Sequence, residues 1–107
     1  MRIFIKTRFV ALHRWPEASY PVSFLSSPHR HEFHVKAFFD VGHDNRELEF
    51  FTKKIHIDDE VEKIMPFAET FSCEQWSRGI GLAVGACSVE VSEDGENGAV
   101  WARGDES

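Results

Sequence analysis

His29-Arg30-His31 is the first place in the chain where residue type and spacing combine into chemistry. In an extended strand, side chains two residues apart project from the same face. Two neutral imidazoles placed that way can share one ion, with ring nitrogens about 2.0–2.1 Å from zinc. A third imidazole is available at His13, because the long segment after it can bring the chain back beside His29. Three histidines leave the fourth position of a tetrahedral ion open, as in catalytic and ligand-binding zinc sites rather than closed structural ones. His13, His29 and His31 are therefore the expected metal ligands and Zn²⁺ the expected ion. The alternative is three histidines each satisfied by an ordinary hydrogen bond. His34 falls on the opposite strand face and His43 in a turn, so neither is expected to join them.

Other reactive side chains are few. Cys73 and Cys87 make neither a CxxC pair nor a disulfide framework, and read as reduced, buried thiols of a cytoplasmic protein. The formal net charge of −6 argues against nucleic acid or an anionic membrane as partner. The N-terminus alternates apolar and polar residues without the apolar run of a secretion signal. No stretch approaches the roughly 18 apolar residues that span a bilayer. Ten Phe and three Trp among 107 residues suit a core that also lines a ligand pocket or a subunit interface.

The elements that must position the histidines follow from periodicity. Arg2 to Ala11 has strand composition and partial period-two alternation. Residues 14–28 contain Pro16, Pro21, Pro28 and four serines, and read as a long loop of the kind that usually carries function. From His31 to Val41 alternate residues are apolar, so this is a second strand. Gly42 to Arg46 has turn chemistry. Residues 47–57 are rich in β-formers and are most simply the returning arm of a hairpin, with a helix from Leu48 as the competing reading. Asp58 and Asp59 look like caps of a helix carrying Val61, Ile64, Met65 and Ala68, which Pro66 kinks or ends. Ser72 with Gln75 forms a capping box, Trp76, Ile80, Ala83 and Val84 make one stripe, and Gly85 is placed to end that helix. A hairpin closes the order, with Ala86–Val91 and Ala99–Ala102 around a turn containing Asp94-Gly95 and Asn97-Gly98. The layout is one α+β domain over 1–107 with an antiparallel sheet, and 103–107 is expected to be frayed.

Read in order, these residues resemble a known family. Phe9-Val10-Ala11-Leu12-His13-Arg14-Trp15-Pro16 is similar to the Phe-x-Ala-x-His-Arg-x-Pro opening of the 6-pyruvoyl-tetrahydropterin and 6-carboxytetrahydropterin synthases. His29-Arg30-His31-Glu32-Phe33 is similar to that family's His-Gly-His and following aromatic. Glu49-Phe50 and Ser72-Cys73-Glu74-Gln75 correspond to an Asp-Phe and a Thr-x-Glu-Asn, and Val89-Glu90-Val91-Ser92-Glu93-Asp94 to a Val-x-Val-x-Glu-Thr. The resemblance implies a tunnelling fold: two β-hairpins in an antiparallel sheet, two helices on one face, and trimers or hexamers that close a barrel with pockets between subunits. It implies zinc on the three histidines and Glu93 as the anchor of a pterin ring, with Glu74 nearby. A carboxylate suits that role because it accepts two parallel hydrogen bonds from an amidine-like edge.

The departures concern proton transfer. The family has a cysteine about four residues before its His-x-His, where this chain has Leu25, followed by Ser26 and Ser27. Its Asp-His pair between the helices is also missing; His56, with Asp58 and Asp59, is the one local substitute, and His56 and Glu93 are the catalytic candidates. The implied function is a zinc-dependent carbon–oxygen lyase acting on dihydroneopterin triphosphate or a related pterin or purine. The alternative is a non-catalytic binding protein that retains the zinc pocket and the ring anchor. A cupin-like metal protein also begins with HxH, but Glu32 follows too soon for the glutamate that fold requires.

Overall fold

Alternation of apolar and polar residues makes two long strands, β1 (Arg2–His13) and β2 (His29–Asp40), which pair antiparallel along their whole length, from Arg2 opposite Asp40 to His13 opposite His29. The structure is a computed structural model and describes residues 1–105. β3 (Ser88–Glu93) pairs with β2, placing Glu93 opposite Phe33, and β4 (Gly98–Ala102) pairs with β3. The result is a four-stranded antiparallel sheet in the order β1-β2-β3-β4, with β1 and β4 at its edges.

One face of the sheet is apolar. Ile5, Phe33, Val35, Ala37, Phe39, Val89, Val91 and Trp101 all point to it and are buried. Two helices cover it. α1 (Phe50–Ile64) contributes Ile57 and Val61, and α2 (Cys73–Val84) contributes Trp76, Ile80 and Val84. Trp76 packs on Phe9, Phe33 and Phe71 at ring-centroid distances of 4.7, 6.0 and 5.5 Å. Each large side chain buried in this way contributes about 1.5–3 kcal/mol. Gly81 of α2 lies against the Trp101 ring, where any Cβ would collide with it.

α2 starts and stops where its sequence signals stand. The Ser72 hydroxyl accepts from the Gln75 N–H while the Gln75 side chain accepts from the Ser72 N–H, and Gly85 ends the helix at φ 71°. α1 corrects the hairpin-arm reading of residues 47–57. Its N-cap is Glu49, whose carboxylate accepts from the N–H groups of Phe51 and Thr52. Asp58 and Asp59 are therefore inside the helix and not caps. Asp58 accepts a 2.6 Å hydrogen bond from the Thr7 hydroxyl. The β-forming composition loses because β2 already has β3 as its second neighbour, while Ile57 and Val61, four residues apart, bury a helical stripe. Pro66 ends the helix in a short 3₁₀ turn, Met65–Phe67.

The 14–28 loop is tied at its base. The Trp15 N–H donates to the Leu25 carbonyl at 2.8 Å and the Arg14 N–H to the Glu69 carbonyl at 2.9 Å. The final hairpin turns through Asp94 (φ 55°) and Gly95 (φ 75°), the left-handed pair that a type I′ turn needs. Of the tail expected to fray, Arg103 donates its N–H to the Cys87 carbonyl, and Asp105 and Ala102 are hydrogen-bonded to each other. Residues 106 and 107 lie outside the described residues. Among the described residues no helix is long and apolar enough to cross a membrane.

Candidate metal centre

His13, His29 and His31 meet at the end of the sheet where the loop leaves β1 and enters β2. His13 and His29 are direct register partners, and His31 is two residues further along on the same face. Each offers a nitrogen that lies within 4.8 Å of the other two, close enough for the three to hold one metal ion. His13 Nδ1 and His29 Nε2 are 3.2 Å apart. Two donors each about 2.0–2.1 Å from a tetrahedral ion would stand about 3.3 Å apart.

The outer ring nitrogens of His29 and His31 are anchored, as is usual for metal-binding histidines. His29 Nδ1 lies 2.8 Å from the Ser27 carbonyl, which leaves Nε2 for the cluster. His31 Nδ1 is 2.9 Å from Asp94 Oδ2, which leaves its Nε2. Burial holds the His13 imidazole below its ordinary pKa, reinforced by the neighbouring His29 and His31 and opposed by the Glu93 carboxylate. The neutral ring thus favoured is the form that binds a metal. Asp94 is held below the usual carboxylate value, first by the Glu32 N–H at 3.0 Å and then by its hydrogen bond to His31.

Glu93, at the end of β3, sits beside this cluster. Its Oε2 is 2.9 Å from His31 Nε2, and its Oε1 accepts from the Cys73 thiol at 3.7 Å. Cys73 is the first residue of α2. Burial and then the Glu93 carboxylate push its thiol up to about 12, so it stays protonated and is a donor rather than a nucleophile. Glu74 follows Cys73 but is exposed, and lines a groove with Gln75, Ser77 and Trp101 on the β4 side of α2.

His56 is not brought to the cluster. It lies one helical turn from Lys53, whose Nζ sits 4.7 Å from the Phe39 ring centroid and donates to the Val84 carbonyl. Phe39 is eight residues along β2 from His31, roughly 26 Å at the rise of a strand. At the loop base, Leu25 contributes its carbonyl, and the Ser26 hydroxyl donates to the Ser23 carbonyl at 2.8 Å.

Two residues at the centre were not singled out for it by the sequence. Asp94 reads as a turn residue and Cys73 as a small buried apolar one. Only the register of β3 on β2 brings the turn carboxylate to His31, and only the packing of the α2 N-terminus brings the thiol to Glu93. No protein-family model matches the chain, and no curated protein matches it. The likeness to the tetrahydropterin synthases rests on the motifs themselves.

Proposed function

We propose that this protein binds zinc on His13, His29 and His31 and uses the metal with Glu93 to hold a pterin or purine ligand. The observation that carries the reading is the cluster with two anchored rings: three imidazoles converge, and a carbonyl and a carboxylate fix which nitrogen His29 and His31 present. Nitrogen donors in a three-ligand set suit zinc, leaving one position for a ligand atom. Zinc bound there would supply a Lewis acid for a hydroxyl or carbonyl oxygen of the ligand's side chain. Glu93, at the rim of the cluster and partly exposed, would take the ring's amidine-like edge through paired hydrogen bonds.

A binding protein rather than an efficient lyase is favoured by one further observation. The thiol beside the site, Cys73, is held protonated, and His56 lies mid-way along α1 beside Lys53, away from the histidine cluster. General-base assistance, worth about 10²–10⁴ in rate, then comes from neither of them, and the Glu93 carboxylate is engaged by His31 and the Cys73 thiol. Turnover of dihydroneopterin triphosphate is accordingly expected to be very slow or undetectable.

The test is calorimetry of the zinc-loaded protein with a pterin and with a guanine nucleotide. One of them should bind, and Glu93→Gln should weaken it about ten- to hundredfold, the equivalent of losing a charged hydrogen bond worth about 1.5–3 kcal/mol. Binding of neither ring, or equal binding by the variant, would remove Glu93 from the role.

A further inference from the structure

We infer that Cys73 is a positioning residue for the ring anchor: its thiol holds the Glu93 carboxylate in the orientation that receives the edge of a ligand's ring. The inference rests on the role proposed for Glu93 and adds the group that sets its geometry.

Glu93 is the last residue of β3, and its backbone is fixed on both sides. Its N–H donates to the Asn97 carbonyl and its own carbonyl accepts from the Glu96 N–H, each at 2.9 Å. The side chain has no such restraint from the turn. A glutamate carries its carboxylate on several rotatable bonds, and this side chain is 36% exposed. Immobilising such a group only when a ligand arrives costs affinity, so a partner that fixes it beforehand favours binding. Among the described residues, the side-chain donor to Oε1 is the Cys73 thiol at 3.7 Å, while Oε2 is turned to His31.

The donor is itself rigidly held. Cys73 is buried as the first residue of α2, directly after the Ser72 N-cap whose capping box with Gln75 fixes the helix start. Trp76, three residues on, packs against Phe9, Phe33 and Phe71. The core thus reaches the anchor carboxylate through one thiol.

A thiol suits this role for two reasons. It is neutral, because burial and the Glu93 charge keep its proton in place, so it orients the carboxylate without cancelling the charge that attracts the ring's N–H groups. It is also a weak, single donor. A carboxylate oxygen has room for a second hydrogen bond, so Oε1 keeps an acceptor site for the ring beside the one that Oε2 offers. A lysine or arginine at this position would compete with the ligand for both oxygens.

The experiment is calorimetry of zinc-loaded wild type, Cys73→Ala and Cys73→Ser with neopterin and with GMP, with circular dichroism to check each fold. Cys73→Ala keeps a small buried side chain but loses the donor. The ring that wild type binds should then bind about three- to tenfold more weakly, the range expected for immobilising one flexible side chain. Cys73→Ser restores a donor and should recover part of that loss, which a role in packing alone would not produce. Wild-type affinity in Cys73→Ala, or equal loss in both variants, would overturn the inference while leaving the Glu93 assignment standing. Failure of wild type to bind either ring would instead remove the role of Glu93, and the inference with it. A crystal structure of zinc-loaded wild type with the bound ring needs no variant. Cys73 Sγ in hydrogen-bond range of Glu93 Oε1 while the carboxylate contacts the ring would support the inference. A carboxylate swung away from the thiol to reach the ring would overturn it.

Discussion

His13 and His29 face each other across β1 and β2 as the last register pair before the connecting loop, with ring nitrogens 3.2 Å apart. A long antiparallel pairing fixes this relationship more firmly than a loop could. Slipping β2 by one residue would turn His29 and His31 to the other sheet face, away from His13, and expose Phe33, Val35 and Phe39. The same hydrophobic pattern that builds the core therefore aligns the three histidines.

Asp94 orients His31 from the β3–β4 turn, and Asp94→Asn separates that role from the turn itself. Asparagine tolerates the left-handed backbone at φ 55°, so the hairpin should persist. The charge that draws the His31 Nδ1 proton is lost, and zinc affinity should fall about ten- to hundredfold. Chelator competition measures it, and unchanged affinity would mean that Asp94 only shapes the turn.

Gly81→Ala tests the packing of α2 on β4. The new methyl collides with the Trp101 ring, which is itself buried. Alanine's better helix propensity, about 1 kcal/mol, is expected to be outweighed by overpacking of about 1–3 kcal/mol. Urea unfolding should show a net loss of stability; a gain would mean that Trp101 moves aside freely.

Metal-free protein should lose stability as pH falls below about 6.5, the ordinary histidine value. His13 is held below that value in the fold, so the unfolded chain binds its proton first. The loss starts at the unfolded value and levels off once the folded state also protonates. Thermal unfolding after chelation, from pH 8 to pH 5, should show the fall, and His13→Gln should flatten it.

The chain should assemble. β1 is a 12-residue edge strand, and Phe4, Phe50, Phe51 and Ile55 are exposed around it. A long open edge with apolar flanks is a template for another strand. The family resemblance makes trimers or hexamers the expected product. Light scattering at micromolar concentration should give a multiple of 12.3 kDa, and a monomer would contradict the assembly.

Local signals carried much of the fold and part of the histidine cluster. α2 was legible because Ser72, Gln75 and Gly85 act within a turn of themselves. The His29/His31 pair was legible because strand alternation alone puts both on one face. Residues 47–57 were misread because Phe50, Phe51 and Ile55 favour strands locally, while the helix is decided by the core that Ile57 and Val61 meet. Asp94 and Cys73 belong to the centre through pairings 63 and 20 residues apart, which no local pattern records. The distance of His56 was hidden for the same reason, since it depends on where α1 starts.

Metal content is the most direct measure of the central claim. Purified wild type, dialysed against buffer containing zinc and then against metal-free buffer, should retain about one equivalent per chain, consistent with a three-histidine site. The double variant His29→Ala/His31→Ala should retain none, because one remaining imidazole cannot hold the ion. A full equivalent in the double variant, or none in wild type, would contradict the account.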